Sequence, residues 1–428
     1  MAGLTLTARS LGRALRHRNY RLFFAGQSLS LIGTWLTRVA TSWLVFRLTH
    51  SEWLLGVSGF ASQIPIFFLA PFAGVWVDRL NRHRVLVVTQ VMAMIQSGLL
   101  AIFALTGTIT VVHVILLNLL QGVINSFDMP ARQAFVVQMI EDRADLPNAI
   151  ALNSSMVNAA RLIGPTVGGA LIATVGEGWC FAIDALSYVA VIGSLLAMRL
   201  VTPAPRQTTG HVLEALREGA GYAARSKPIR ALLLLLSVSS LLGMPYMVLM
   251  PAMAEQALRG GANTFGVMMA ATGAGALVGA LYLASRSSVL GLGKVVALSA
   301  AGFGVGLAVF AGSRWLWLTL PALGLTGLSM MTQTASTNTL LQTIVDEDKR
   351  GRVMSFYTVA IVGTAPFGSL FAGALADRFG APTALLIGGA GCLLGAIAFL
   401  RALPRLRVHV RPIYERLGIL SVTLPQEE

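Results

Sequence analysis

LFFAGQSLSLIGTWLTRVATSWLVFRL, residues 22–48, is a mostly apolar run with one charge in its interior, Arg38, and another, Arg47, at its end. Crossing the hydrocarbon core of a bilayer takes about 20 predominantly apolar residues in a helix. This run meets that length, as do residues 85–105 and 383–400, and about twelve such stretches alternate with short polar breaks along the chain. Composition agrees: 55% of the 428 residues are hydrophobic and only 12% charged, whereas soluble domains carry about 25% charged residues. Lipid is the solvent that fits this chain. Charge at membrane depth costs at least ~2.5 kcal/mol per residue on insertion scales, so Arg38, and Arg161 inside a later stretch, mark function or obligatory packing.

A formal charge of +14 invites a nucleic-acid reading until the basic residues are sorted by loop. Numbering the breaks from the N-terminus, 26 of the 32 Lys and Arg fall on one side, among them Arg13, Arg18, Arg82, Arg143, Lys227, Lys349 and Arg411. The opposite side holds only Arg47, Arg259, Arg314 and Arg378. Cytoplasmic loops concentrate Lys and Arg, so the excess reads as topology rather than a nucleic-acid footprint. It places both termini in the cytoplasm and makes the number of crossings even. The two cysteines, Cys180 and Cys392, are too few for a disulfide framework. The first apolar run is too long for a signal-peptide core, so it is expected to stay as an anchor.

Helices are expected near 20–48, 53–77, 85–106, 109–129, 148–175 and 179–199, then 230–254, 265–285, 294–312, 315–340, 352–376 and 382–402. The polar interval 200–229, with Pro203, Pro205 and Gly210, divides the chain into bundles at 1–199 and 230–402, followed by a cytoplasmic tail at 403–428. Internal repetition supports the division. Residues 169–176 (GALIATVG) align with 373–380 (GALADRFG), and Gly164-Pro165 has a counterpart at Ala365-Pro366. Ala73-Gly74 and Asp78-Arg79 echo Ala372-Gly373 and Asp377-Arg378. Triplets of helices doubled into two halves are a recurring plan of secondary transporters. The fold class expected is an all-α membrane protein, twelve transmembrane helices in two pseudo-symmetric six-helix bundles.

The strongest local signal lies between helices 2 and 3: Gly74-Val-Trp-Val-Asp78-Arg79-Leu-Asn81-Arg82-His83-Arg84. Glycine permits close helix contact, an acid suits a helix N-terminus, and cations hold neighbouring loops or lipid phosphates. An ordinary positive-inside loop would also be basic. The stretch resembles the signature G-x-x-x-D-R-x-G-R-R/K-x of the major facilitator superfamily, with Asn81 in place of glycine, a change a left-handed backbone would tolerate. Residues 19–27 (NYRLFFAGQ), 128–134 (DMPARQA) and the segment from Asn153-Ser154 to Arg161-Leu-Ile-Gly164-Pro165 extend the resemblance to the branch containing enterobactin and macrolide exporters. That resemblance implies export by alternating access, usually driven by proton influx. It also implies that Asp78 pairs with Arg132 and the start of helix 11 to latch the cytoplasmic side. The helix 8–9 copy, Ser285-Arg286, lacks the acid.

Gly164-Pro165-x-x-Gly168-Gly169 is similar to the superfamily's helix 5 antiporter motif. Physically, Pro165 cannot donate to the carbonyl of Arg161, and the glycines allow a tight, bendable seam. Polar stripes run along several spans: Gln27, Ser30, Thr34, Thr37, Arg38 and Thr41 on helix 1, then Asn118, Gln121 and Asn125 on helix 4. Ser154, Asn158 and Arg161 share a face of helix 5, and Gln333, Ser336 and Thr337 one of helix 10. Such stripes either wall a substrate cavity or glue helices together. Met244, Met247, Met250 and Met253 on helix 7 suit core filling or an adaptable apolar surface. Asp184 is the one acid placed clearly within a span. It either forms a structural pair with Arg38, at similar depth, or serves as the protonation site that couples to transport.

Other classes find no support. Gly293-Lys294 lacks the first glycine and the hydroxyl of a Walker A loop, and Gly275-x-x-x-Gly279 lies in an apolar helix, where packing explains it better than a dinucleotide. No His-Glu metal motif occurs, and His50 and His113 sit at span ends. The expectation is a non-enzymatic secondary transporter without cofactor or metal, exporting a bulky drug, siderophore or lipophilic metabolite from a bacterial cytoplasmic membrane, with protons and lipids as further partners. An uncoupled facilitator, an uptake carrier and a receptor on the same scaffold are the alternatives.

Overall fold

The computed structural model describes residues 12–199, 221–286, 288–347 and 349–419, and the side chains of residues 70, 71, 74, 75 and 78 lie outside that description. Among the described residues the backbone forms six long helices before the linker: α1 (Arg18–Thr49), α2 (Glu52–Arg79), α3 (Arg82–Leu105), α4 (Val111–Val136), α5 (Leu146–Val175) and α6 (Glu177–Leu196). Six follow it: α7 (Lys227–Ala257), α8 (Ala262–Ala284), α9 (Leu292–Gly312), α10 (Leu316–Ile344), α11 (Arg350–Phe379) and α12 (Ala381–Arg416). Eleven of them are long and apolar enough to cross a membrane. The twelfth, α10, has the length but carries Thr326, Ser329, Thr332, Gln333, Thr334, Ser336, Thr337, Asn338 and Thr339 within four turns. Among the described residues the chain is therefore an all-α membrane protein with twelve long helices, six on either side of the linker.

The described residues group into two compact units, 12–199 with 250–270, and 221–249 with 271–419. In the first, α3 packs on α4 and α6; in the second, α9 packs on α10 and α12, the same relation three helices from each bundle's start. The sequence repeat has a backbone counterpart. Gly176 joins α5 to α6 at φ 88°, and Gly380, 204 positions later, joins α11 to α12 at φ 84°. Side chains rarely adopt that backbone, which is why both repeat copies end in glycine. Glycine also sets the α1–α6 crossing: a Cβ on Gly33 would lie 2.6 Å from Asp184 Oδ1, and one on Gly26 2.9 Å from Val191 Cα. In the second unit Gly275 abuts the backbone of Gly324 and Gly279 abuts Leu328, so this GxxxG is a packing seam.

Three local expectations are corrected. Helix 4, expected to end near 129, runs through Pro130 to Val136, which brings Arg132 onto the same helix as Asp128. Helix 12, expected to end near 402, continues through Pro404 and Pro412 to Arg416, because Leu403, Leu406, Val410, Ile413 and Tyr414 keep a helical apolar period and pack on the second unit's core. Asn81 is not left-handed: it sits at φ −70° and caps α3, its side chain accepting from Arg84 N at 3.2 Å. That hydrogen bond is what asparagine offers here and glycine does not.

Candidate functional site

Asp184 is the deepest charge in the first unit. It is 1% exposed on α6. Thr37 Oγ1 on α1 and Ser97 Oγ on α3 both donate to its Oδ2 at 2.7 Å. Oδ1 has no donor. The close α1–α6 crossing at Gly33 brings α1 near enough for Thr37 to reach, and Gln96, beside Ser97, ties α3 to α4 through the Leu117 carbonyl at 3.2 Å. One acid thus fastens three helices while keeping one oxygen uncommitted. The expected meeting of Arg38 with Asp184 does not occur: among the described residues no ion pair joins them. Thr37 and Arg38 point about 100° apart around the helix, so only one of them can face α6.

Arg38 instead lies over the Trp35 ring, its guanidinium carbon 4.7 Å from the centroid. Arg161 reaches the same ring from α5 at 5.6 Å. The helix 5 motif explains the approach. Gly164 abuts the Trp35 side chain, and a Cβ added to Gly168 would lie 3.6 Å from the Leu36 Cα, so α5 lies against α1 with Arg161 one turn away. Gly169 lies against Gly266 of α8, so closely that a Cβ added to it would come within 2.8 Å of the Gly266 Cα. Pro165 is buried within α5, and the helix runs on through it. Two cations share one indole; Trp35 is buried and the Arg38 side chain exposed. Asn158 donates to the Ser154 carbonyl of its own helix at 2.9 Å.

The other stripes separate into glue and wall. Asn118 donates to Ser58 on α2 at 2.9 Å and so fastens helices. Gln121 donates to Asn125 along α4 at 3.2 Å. Thr34 satisfies its hydroxyl on the Ser30 carbonyl at 3.0 Å, while Gln27 is buried. In the second unit Gln333 donates to Ser239 at 2.8 Å, and Ser240 to the Ile361 carbonyl at 2.6 Å. Ser239–Gly243 and Val359–Gly363 are both π-helical, an uncommon winding that collects at functional positions. A small cavity there is lined by Met244, Phe303, Met330 and Gln333. Met250 and Met253 are fully buried and serve as filler.

Sequence reasoning missed Asp128. It is 2% exposed, accepts from Thr89 at 3.0 Å and Gln90 at 2.7 Å, and pairs with Arg132 one turn on. Spacing Asp128-x-x-x-Arg132 was the available signal. Of the expected latch, Arg132 is thus held by Asp128, while the side chains of Gly74 and Asp78 lie outside the described residues. Arg79 is exposed at the end of α2 and Arg82 half-buried at the start of α3. On the other copy, Arg286 closes its own loop, donating to Tyr282 Oη at 3.1 Å and the Leu290 carbonyl at 2.8 Å.

The chain was compared with known proteins. The family model described as transmembrane secretion effector, of the major facilitator type, matches residues 11–411. The staphyloferrin A transporter of Staphylococcus aureus is 25% identical over 84% of this chain and 90% of its own length. The enterobactin exporter EntS of Shigella flexneri is 26% identical over 91% and 93%. Among solved structures, the nucleoside transporter NupG superposes with a TM-score of 0.67 at 15% identity, covering 90% of this chain and 98% of that one. A bacterial homologue of the iron transporter ferroportin gives 0.68 at 18%, with the same coverage. These structures bear on the fold alone. With twelve helices, a matching helix 5 seam and a family match along nearly the whole length, the chain is a multi-pass membrane transport protein, not an enzyme, and belongs to the transmembrane secretion effector family of the major facilitator superfamily.

Proposed function

We propose that the chain exports a bulky, partly apolar small molecule bearing an anionic group, by alternating access and in exchange for protons. The observation that carries this reading is the pair of guanidinium groups on Trp35. Like charges sharing one ring repel, and an anion placed between them relieves that repulsion with charge-assisted hydrogen bonds. The indole beside them supplies apolar area for the rest of the molecule. Asp184 is the proposed proton carrier, because it is buried, keeps one oxygen uncommitted and ties together three helices that must shift during transport. Asp78, Arg79, Arg82 and Arg132 with Gly74 are the proposed gate, and Gly164-Pro165 the proposed bend. Asn118, Gln121, Asn125, Asn158, Gln27, Thr34 and Gln333 are assigned to the polar framework of the route.

Among drugs, siderophores and lipophilic metabolites, the names of the staphyloferrin A transporter and the enterobactin exporter support the siderophore class. The one-sided basic residues support a reading with both termini in the cytoplasm and the chain in a bacterial inner membrane, with bundles 1–199 and 230–402 as the proposed moving parts. Proteoliposomes loaded with enterobactin or staphyloferrin A test the proposal. Flux that rises with an inward proton gradient, and that falls at least tenfold in Asp184→Asn, supports it. Flux indifferent to the gradient favours an uncoupled facilitator, and no flux of either probe removes the siderophore assignment.

A further inference from the structure

A cavity in the second unit, lined by α7, α10 and α12, has no part in the route described above. It measures about 440 Å³, within the ~300–1,000 Å³ range of small-molecule sites. Its walls are Leu232, Leu340, Ile344, Phe399, Leu403 and Leu406, and Arg407 and Arg411 stand at its edge. The cavity exists because α12 is long. Thirty-six residues span about 54 Å, against about 30 Å of hydrocarbon, so the last four turns leave the apolar layer. There the helix turns one face, Leu403, Leu406 and Tyr414, onto the core cluster and leaves Arg401, Arg405, Arg407, Arg411 and Arg416 exposed. Glu415 accepts from Arg411 Nε at 2.8 Å, an ion pair within the helix that engages one of this guanidinium's N–H groups. Arg286, outside the lining, is held to the carbonyl of the lining residue Leu290 at 2.8 Å, which adds a third cation nearby.

We propose that this groove binds one anionic glycerophospholipid from the leaflet on the basic side of the protein. An acyl tail fills the apolar cavity, and the headgroup phosphate meets Arg407 and Arg411. Apolar walls under a cationic rim match a lipid in both charge and depth: a soluble anion would leave the cavity unfilled, and an apolar peptide would offer nothing to Arg407 or to the N–H groups of Arg411 that Glu415 does not engage. Basic residues just beyond a membrane helix attract anionic lipid for the same reason. Naming that leaflet cytoplasmic rests on the orientation proposed above; the binding itself does not, so the two fail separately.

Native mass spectrometry of the purified, delipidated full chain decides the matter, with dioleoyl phosphatidylglycerol and dioleoyl phosphatidylcholine offered at equal concentration. One retained phosphatidylglycerol, preferred over phosphatidylcholine by about 30-fold and reduced to parity in the Arg407→Gln/Arg411→Gln pair, is the expected result, the size being that of two basic residues next to an anionic surface. Leu232→Trp, which fills the cavity, should abolish retention with an unchanged circular dichroism spectrum; if that variant does not fold, the arginine pair alone decides. Equal retention of both lipids overturns the proposal, as does competition by tail-free glycerol phosphate at equal potency. So does lipid capture only after deletion of residues 420–428, which would make the chain's own end the occupant.

Discussion

Thr37 Oγ1 donates to Asp184 Oδ2 across 2.7 Å, and Ser97 Oγ donates to the same oxygen at the same distance. The carboxylate is therefore the common fastening of α1, α3 and α6, and its loss is felt by all three. Removing one donor, Thr37→Val, should destabilise the first unit by about 1.5–3 kcal/mol, the usual range for a hydrogen bond to a charged group. Combined with Asp184→Asn, the penalty should shrink, because the neutral amide needs that donor less. A double-mutant cycle on unfolding in mild detergent measures this coupling, and strictly additive penalties would count against it.

Arg38→Gln and Arg161→Gln should each weaken binding of an anionic probe about tenfold and leave a neutral probe of the same bulk unaffected. Trp35→Leu should weaken both probes, since cation–π support of about 0.5–2 kcal/mol and the apolar platform go together. Equilibrium binding to the purified protein separates the two patterns. Equal losses for neutral and anionic probes in the arginine variants would assign those residues to packing alone.

The helix 5 seam predicts a graded series. A side chain at Gly164 meets Trp35, so Gly164→Val should force α5 from α1, costing about 1–3 kcal/mol as overpacking does, and should stop transport. Gly164→Ala should fall between it and wild type. Gly193→Ala, where an added Cβ meets nothing within 4 Å, should be silent in the same melting and flux assays.

At the start of α3, Asn81→Ala should cost about 1 kcal/mol, and Asn81→Gly only a few tenths, following the ranking of helix N-caps. Thermal unfolding in one detergent orders the three proteins. A glycine variant less stable than the alanine one would contradict the capping role.

Membrane class and helix count were legible because apolar length is a one-dimensional property, and the repeat ending at Gly176 and Gly380 was legible because a left-handed joint selects glycine. The partner of Asp184 was not. Thr37 and Arg38 are neighbours in sequence at the same depth, and only the rotation of α1 against α6 decides which of them arrives. Helix 4 was expected to end near 129, just before Pro130, yet α4 continues through it to Val136. Pro404 and Pro412 misled in the same way, although the spacing of Leu403, Leu406, Val410 and Ile413 already carried the helical period. Asn118 and Gln333 were recognisable as polar groups in lipid; that each spends its amide on a serine of a neighbouring helix depends on contacts that spacing does not encode.

The hydroxyl-rich middle of α10 bears on how the protein is made. A segment this polar partitions poorly into hydrocarbon by itself; Thr326, Thr334 and Thr339 satisfy their hydroxyls on carbonyls of their own helix, whereas the Gln333 amide needs Ser239 of α7 alongside. Insertion of α10 is therefore expected to depend on the helices around it, with α7 already in place to take the Gln333 amide.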